Sequence, residues 1–155
     1  MKLTIVQRMA ILLSYLAATG SAAAAVTVEE PWVRATVPGQ SVAAAYMRVR
    51  STEPAALVEV RTPVAAQAEI HEMSMQDGVM KMRRIGRLPL RSDGTVELKP
   101  GGYHLMLTDV TRPLKDGDKV PLTLVVERQD KKREELRVDA EVRSAAAKPA
   151  HEHHH

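Results

Sequence analysis

The chain contains no cysteine and no phenylalanine, and aromatic residues make up only 3% of it. Without cysteine there is no disulfide, zinc ribbon, iron–sulfur cluster, thiol redox couple or blue-copper thiolate. Any soft-metal chemistry must therefore use Met and His. Charge of one sign is lacking too: 22 Lys+Arg stand against 19 Asp+Glu, interspersed along the chain. With so few aromatics available for base stacking, nothing points to nucleic acid. No Ser, His and acid arrangement of a hydrolase is recognisable. Missing as well is an apolar run of the roughly 20 residues that a membrane span requires.

What is present is one domain's worth of chain, 155 residues with 45% hydrophobic and 26% charged, an ordinary globular mix. Residues 1–25 read as a secretory signal peptide: Lys2 and Arg8 form a positive start, Met9 to Ala18 an apolar stretch, and Ser21 to Ala25 a small-residue cleavage site. A lipoprotein would need a cysteine at that point. Removal leaves 155 − 25 = 130 residues, with 22 − 2 = 20 basic against 19 acidic. The expected product is exported, soluble and nearly neutral, with no membrane span.

Beyond Val26 the pattern is short, alternating and punctuated, as in an all-β domain. Strands are expected at Trp32 to Ala35, Ala43 to Arg50, Ala56 to Arg61, Ala66 to Met73, Met80 to Ile85, Thr95 to Leu98, Tyr103 to Thr108, Val120 to Glu127 and Glu134 to Val142. Turn signals such as Gln76-Asp77-Gly78 and Pro100-Gly101-Gly102 separate them. About nine short strands suggest a two-sheet antiparallel β-sandwich of immunoglobulin or cupredoxin type over residues 26–143. Alternation puts Ala45, Met47 and Val49 in the core and Tyr46, Arg48 and Arg50 on the other side. Trp32 is expected to anchor packing. Residues 144–155 read as a flexible tail.

Six methionines lie beyond the signal peptide, and four of them, Met73, Met75, Met80 and Met82, fall within ten residues. Core filling alone does not predict that clustering. Around the turn at Gln76 to Gly78 this window forms an expected hairpin, with His71 and Met73 on one face of its first strand and Met80 and Met82 on one face of its second. Whether those faces coincide depends on register. Further on, His104 and Met106 share a face while Leu105 points into the core. Imidazoles with uncharged thioethers form a soft ligand set that suits Cu(I) and disfavours magnesium or calcium. Zinc would recruit Cys or carboxylate beside His.

The spacing is specific. Ten residues separate His71 from Met82, twenty-one separate Met82 from His104, and one separates His104 from Met106. With Pro31-Trp32-Val33-Arg34-Ala35, Gly78-Val79-Met80-Lys81-Met82-Arg83 and Pro100-Gly101-Gly102-Tyr103-His104-Leu105-Met106 around it, this pattern resembles the bacterial periplasmic copper chaperones of the PCuAC family. The resemblance covers about Val28 to Val142. It implies a cupredoxin-like sandwich that holds Cu(I) near its surface through His71, Met82, His104 and Met106. It also implies delivery to the copper-bearing subunit of cytochrome c oxidase, directly or through a thioredoxin-like Sco-type partner. Such a protein is a carrier and not an enzyme. Met73, Met75 and Met80 are auxiliary thioethers, hydrophobic lip or packing. His151, His153, His154 and His155 form a native Cu(II)-capturing tail, a tag remnant or an inert end. Two other readings stand beside delivery: copper storage or tolerance, and a metal-free β-sandwich interaction module whose Met cluster is a partner patch.

Overall fold

The computed structural model describes residues 25–144; the expected signal peptide and His-rich tail lie outside the described residues. Ten strands form: β1 (Val26–Arg34), β2 (Val42–Ser51), β3 (Ala55–Arg61), β4 (Ala65–Gln76), β5 (Val79–Arg84), β6 (Leu88–Leu90), β7 (Gly94–Leu98), β8 (Tyr103–Val110), β9 (Lys119–Arg128) and β10 (Arg133–Arg143). Among the described residues there is no helix, so the fold is the all-β class that the alternation indicates.

The strands hydrogen-bond in the order β5-β4-β8-β7-β2-β1-β10-β9-β3-β6, with β8 also paired to β2. The sheet wraps so that β3 comes against β4 and β6 against β2 and β7, and a single core fills the space between. Its fully buried members come from both halves: Val33, Val49, Leu105 and Leu107 from one, and Leu57, Leu122, Leu124 and Val126 from the other. Most pairings are antiparallel. Two are parallel, β1 with β10 and a single contact of β7 with β8. The first joins the first and last of the described strands, with Val33 opposite Val142.

Three differences from the expected strands have physical causes. β1 starts at Val26, six residues before the expected Trp32, and the pairing slips between Glu29 and Trp32. Glu30 adopts φ 51° there, a bulge that absorbs Pro31, which cannot donate to the ladder. β6 is a tenth strand too short to show alternation, an edge on which Pro89 is tolerated. Tyr46, on the outward face of β2, is nevertheless buried. Trp32 lies with its ring centroid 4.5 Å from that of Tyr46, and the Arg34 guanidinium lies over the phenol ring at 5.8 Å. Trp32 thus anchors packing on the outer face, while Met47 and its neighbours Ala45 and Val49 are core.

Candidate metal centre

The site is built on three adjacent strands, β5, β4 and β8. Asp77 (φ 52°) and Gly78 (φ 77°) connect β4 to β5, with Gln76 opposite Val79. Two consecutive left-handed residues in a two-residue loop make the type I′ turn that matches strand twist, and Asp-Gly is its preferred sequence. That turn fixes the register of everything below it. Met75 pairs with Met80, Met73 with Met82 and His71 with Arg84. On the other side of β4, His71 pairs with His104 and Glu69 with Met106.

Because residues opposite one another share a face, the question that alternation left open is settled. Met80, Met82, His71, Met73, Met75, His104 and Met106 all project from one side of this three-stranded region. Ile70, Leu105 and Leu107 project from the other side into the core. The imidazoles form the centre of the group. The Met73–Met82 pair lies one step along the strands to one side, and Met106 lies one step to the other. Met73 follows His71 on its own strand, so by register it is at least as near the imidazoles as Met82.

The two rings stand 5.7 Å apart between centroids, tilted by 59°. With each donor nitrogen about 2 Å from an ion, centroids can lie up to roughly 6 Å apart and still share it. His104 is buried, and its Nδ1 lies 3.1 Å from the Gly102 carbonyl. A proton on Nδ1 makes that bond and leaves the Nε2 lone pair free. His71 is held differently. Its Nε2 is 2.9 Å from Glu69 Oε2, and its Nδ1 is buried with no hydrogen-bond partner. Buried polar atoms are seldom left unpaired, so this lone pair is the observation that fits a metal. Among the described residues, no group of three or more His, Cys, Asp or Glu is placed to hold an ion. A metal here would take its remaining donors from thioether sulfur.

The sequence reading gave Glu69 no role, although positions 69, 71 and 73 share parity and strand alternation alone could have flagged it. Its hydrogen bond with His71 holds its carboxyl below the ordinary value; burial opposes that shift and Arg84 assists it. Glu72, one residue out of step with His71, faces away from this group and accepts from Arg83 Nε at 2.7 Å. At the rim, Met75, Val79, Met80 and Met82 are four of the five exposed large hydrophobic residues among those described. Lys81, Arg83 and Arg84 are exposed on the same hairpin.

Comparison with known proteins follows these features. A family described as "Putative lipoprotein LpqE-like" matches residues 26–142. "Putative lipoprotein Lxx21020" of Leifsonia xyli subsp. xyli is 31% identical over 108 residues, covering 68% of this chain and 64% of the relative. The chain therefore spans less than two thirds of the length of that curated relative. Among solved structures, the copper-bound PCuAC domain from PmoF2 superposes with a TM-score of 0.62 at 25% identity, over 77% of this chain and 93% of that one. The solution structure of CuI-DR1885 from Deinococcus radiodurans gives 0.59 at 31% identity, over 83% and 85%.

Proposed function

We propose that this chain, which belongs to the LpqE-like family and has the PCuAC fold, is an exported copper metallochaperone that carries Cu(I) as cargo. His71, Met82, His104 and Met106 are its ligands in this reading, with Met73 available as a further thioether. The observation that carries the proposal is the cross-strand pairing of His71 with His104, flanked by methionines on the same face. Two neutral imidazoles and thioethers favour the monovalent ion over hard cations. Relatives whose solved structures contain copper support it.

The chemistry is carriage and not turnover. Donors on paired strands hold the ion near the surface, where incoming ligands reach it while the protein's own donors still bind. The acceptor is the copper-bearing subunit of cytochrome c oxidase, reached directly or through a Sco-type thioredoxin-like protein. Thiolates on such a partner bind Cu(I) more strongly than thioethers and draw it off. The exposed methionines of the hairpin, with Lys81, Arg83 and Arg84 around them, suit a partner whose site is ringed by carboxylates. The cellular compartment in this reading is the periplasm, and the His-rich tail supplies nitrogen donors for Cu(II) before reduction by an outside donor.

X-ray absorption of protein loaded anaerobically with one equivalent of Cu(I) tests the ligand set. Two nitrogens and two sulfurs are expected; an oxygen-dominated shell would reject the reading. The exposed Met75 and Met80 favour storage as a second reading. Titration to saturation separates the two, since storage requires several tightly held ions per described domain and carriage requires one.

A further inference from the structure

We infer that Glu69 is a positioning residue that makes Nδ1 the copper-donating nitrogen of His71, so that the two imidazoles meet the ion through opposite ring atoms, Nδ1 at His71 and Nε2 at His104. This rests on the copper reading and adds to it a choice of donor atoms. The argument begins with protons. A neutral imidazole carries one, and the nitrogen without it is the metal donor. At His71 the carboxylate of Glu69 stands 2.9 Å from Nε2. A carboxylate only accepts, so the proton is on Nε2 and the lone pair is on Nδ1. That same Nδ1 is the buried atom without a partner.

The carboxylate is itself held. Arg84, the cross-strand neighbour of His71, reaches the second oxygen of Glu69 with Nε at 3.2 Å. Glu69 in turn sits opposite Met106 on β8, so its backbone position is set by the same ladder that places a thioether. One oxygen hydrogen-bonds the imidazole and the other forms an ion pair with the guanidinium, and the ring is thereby held in rotation as well as in tautomer. At His104 the Gly102 carbonyl performs the same task from the other side of the ring, at Nδ1. If copper instead took Nε2 of His71, Glu69 would lose its bond and Nδ1 would remain buried and unpaired, two penalties with no compensation. Outer partners of metal-binding imidazoles typically contribute 10- to 100-fold in affinity.

Nitrogen-15 NMR of the full chain, metal-free and loaded with Cu(I), reads both rings directly, since the monovalent ion is diamagnetic. The expected result is a metal-free His71 protonated at Nε2. On loading, the Nδ1 resonance of His71 and the Nε2 resonance of His104 move, and Nε2 of His71 keeps its proton. In anaerobic competition against bicinchoninate, Glu69→Ala should bind Cu(I) about 10- to 100-fold more weakly. Glu69→Gln, whose amide oxygen still accepts from Nε2–H, should recover most of that loss. Copper-induced deprotonation of Nε2 at His71 overturns the inference. So does a Glu69→Ala variant that binds as tightly as the parent with the His71 resonances unchanged. If neither ring responds to Cu(I) in the parent protein, the copper reading fails and takes the inference with it. Should Glu69→Ala not fold, the spectra of the parent chain decide alone.

Discussion

Replacing His104 by alanine separates its role in packing from its proposed role as a ligand. In the metal-free protein the imidazole is buried and bonds the Gly102 carbonyl. Its loss removes one of the two hydrogen bonds that this carbonyl accepts, the other coming from the Met73 N–H at 3.1 Å, about 0.5–1.5 kcal/mol. The described domain has 144 − 25 + 1 = 120 residues, a size at which 1 kcal/mol moves Tm by roughly 3–5 °C. The metal-free variant should therefore melt several degrees lower. Copper adds a second, independent signal. With free Cu(I) buffered at 100 times its Kd, the native state gains about 2.7 kcal/mol, a rise of roughly 8–13 °C in Tm. If loss of the imidazole weakens binding by 100-fold or more, the same buffer yields at most about 0.4 kcal/mol, a rise of roughly 1–2 °C. Circular dichroism melts of both proteins, with and without buffered Cu(I) under anaerobic conditions, measure all four values. A His104→Ala variant that folds and still gains the full copper-induced rise would show that the buried imidazole is a packing residue and not a ligand.

Register predicts unequal roles for the methionines. Met82→Ala and Met73→Ala should each weaken Cu(I) binding in competition titrations, whereas Met75→Ala, one step further from the imidazoles and exposed, should leave it within about twofold, an order-of-magnitude expectation for a surface change. Leu105→Ala opens a cavity directly behind the site, because Leu105 is fully buried between His104 and Met106 in sequence; denaturant unfolding should show a loss of about 2–5 kcal/mol, with one Cu(I) still bound by the folded fraction. Glu127 accepts from Arg87 at 2.8 Å, and that bond first, with help from Lys131, holds its carboxyl below the ordinary value of 4.5. A depressed carboxyl contributes stability that is complete above the ordinary value and is lost as pH falls through the lowered one. Glu127→Gln should therefore flatten the acid limb of a stability-versus-pH curve below about pH 4.5; an unchanged limb would assign acid unfolding to other carboxylates.

Much of the fold was legible because it follows from local rules. The ends of β2, β3, β7 and β9 lie within one residue of the expected strands, since each is a clean alternating run between turn residues. What alternation does not carry is pairing. It placed His71 with Met73 and His104 with Met106, but only the ladder reveals that His71 faces His104 and Met73 faces Met82. It could not anticipate Tyr46, which points outward and is buried by Trp32, a residue adjacent to it only across β1 and β2. Glu69 is a different case. Its parity was readable, yet a search for soft donors passed over a carboxylate whose place is behind a ligand. The short β6 with Pro89 at its centre gave no periodic signal at all.

The position of β5 at the end of the strand order has a consequence for unloading. Every residue from Val79 to Arg84 is exposed, and among the described strands β5 bonds to β4 alone. Peeling its outer part away, from Val79 to Met82, would break only part of one ladder and leave the strands that carry the core paired, so the domain can remain folded while Met82 swings clear. In the proposed copper reading, handing over the ion would then demand only local fraying at a margin, with a thioether surrendered first while both imidazoles stay anchored on inner strands.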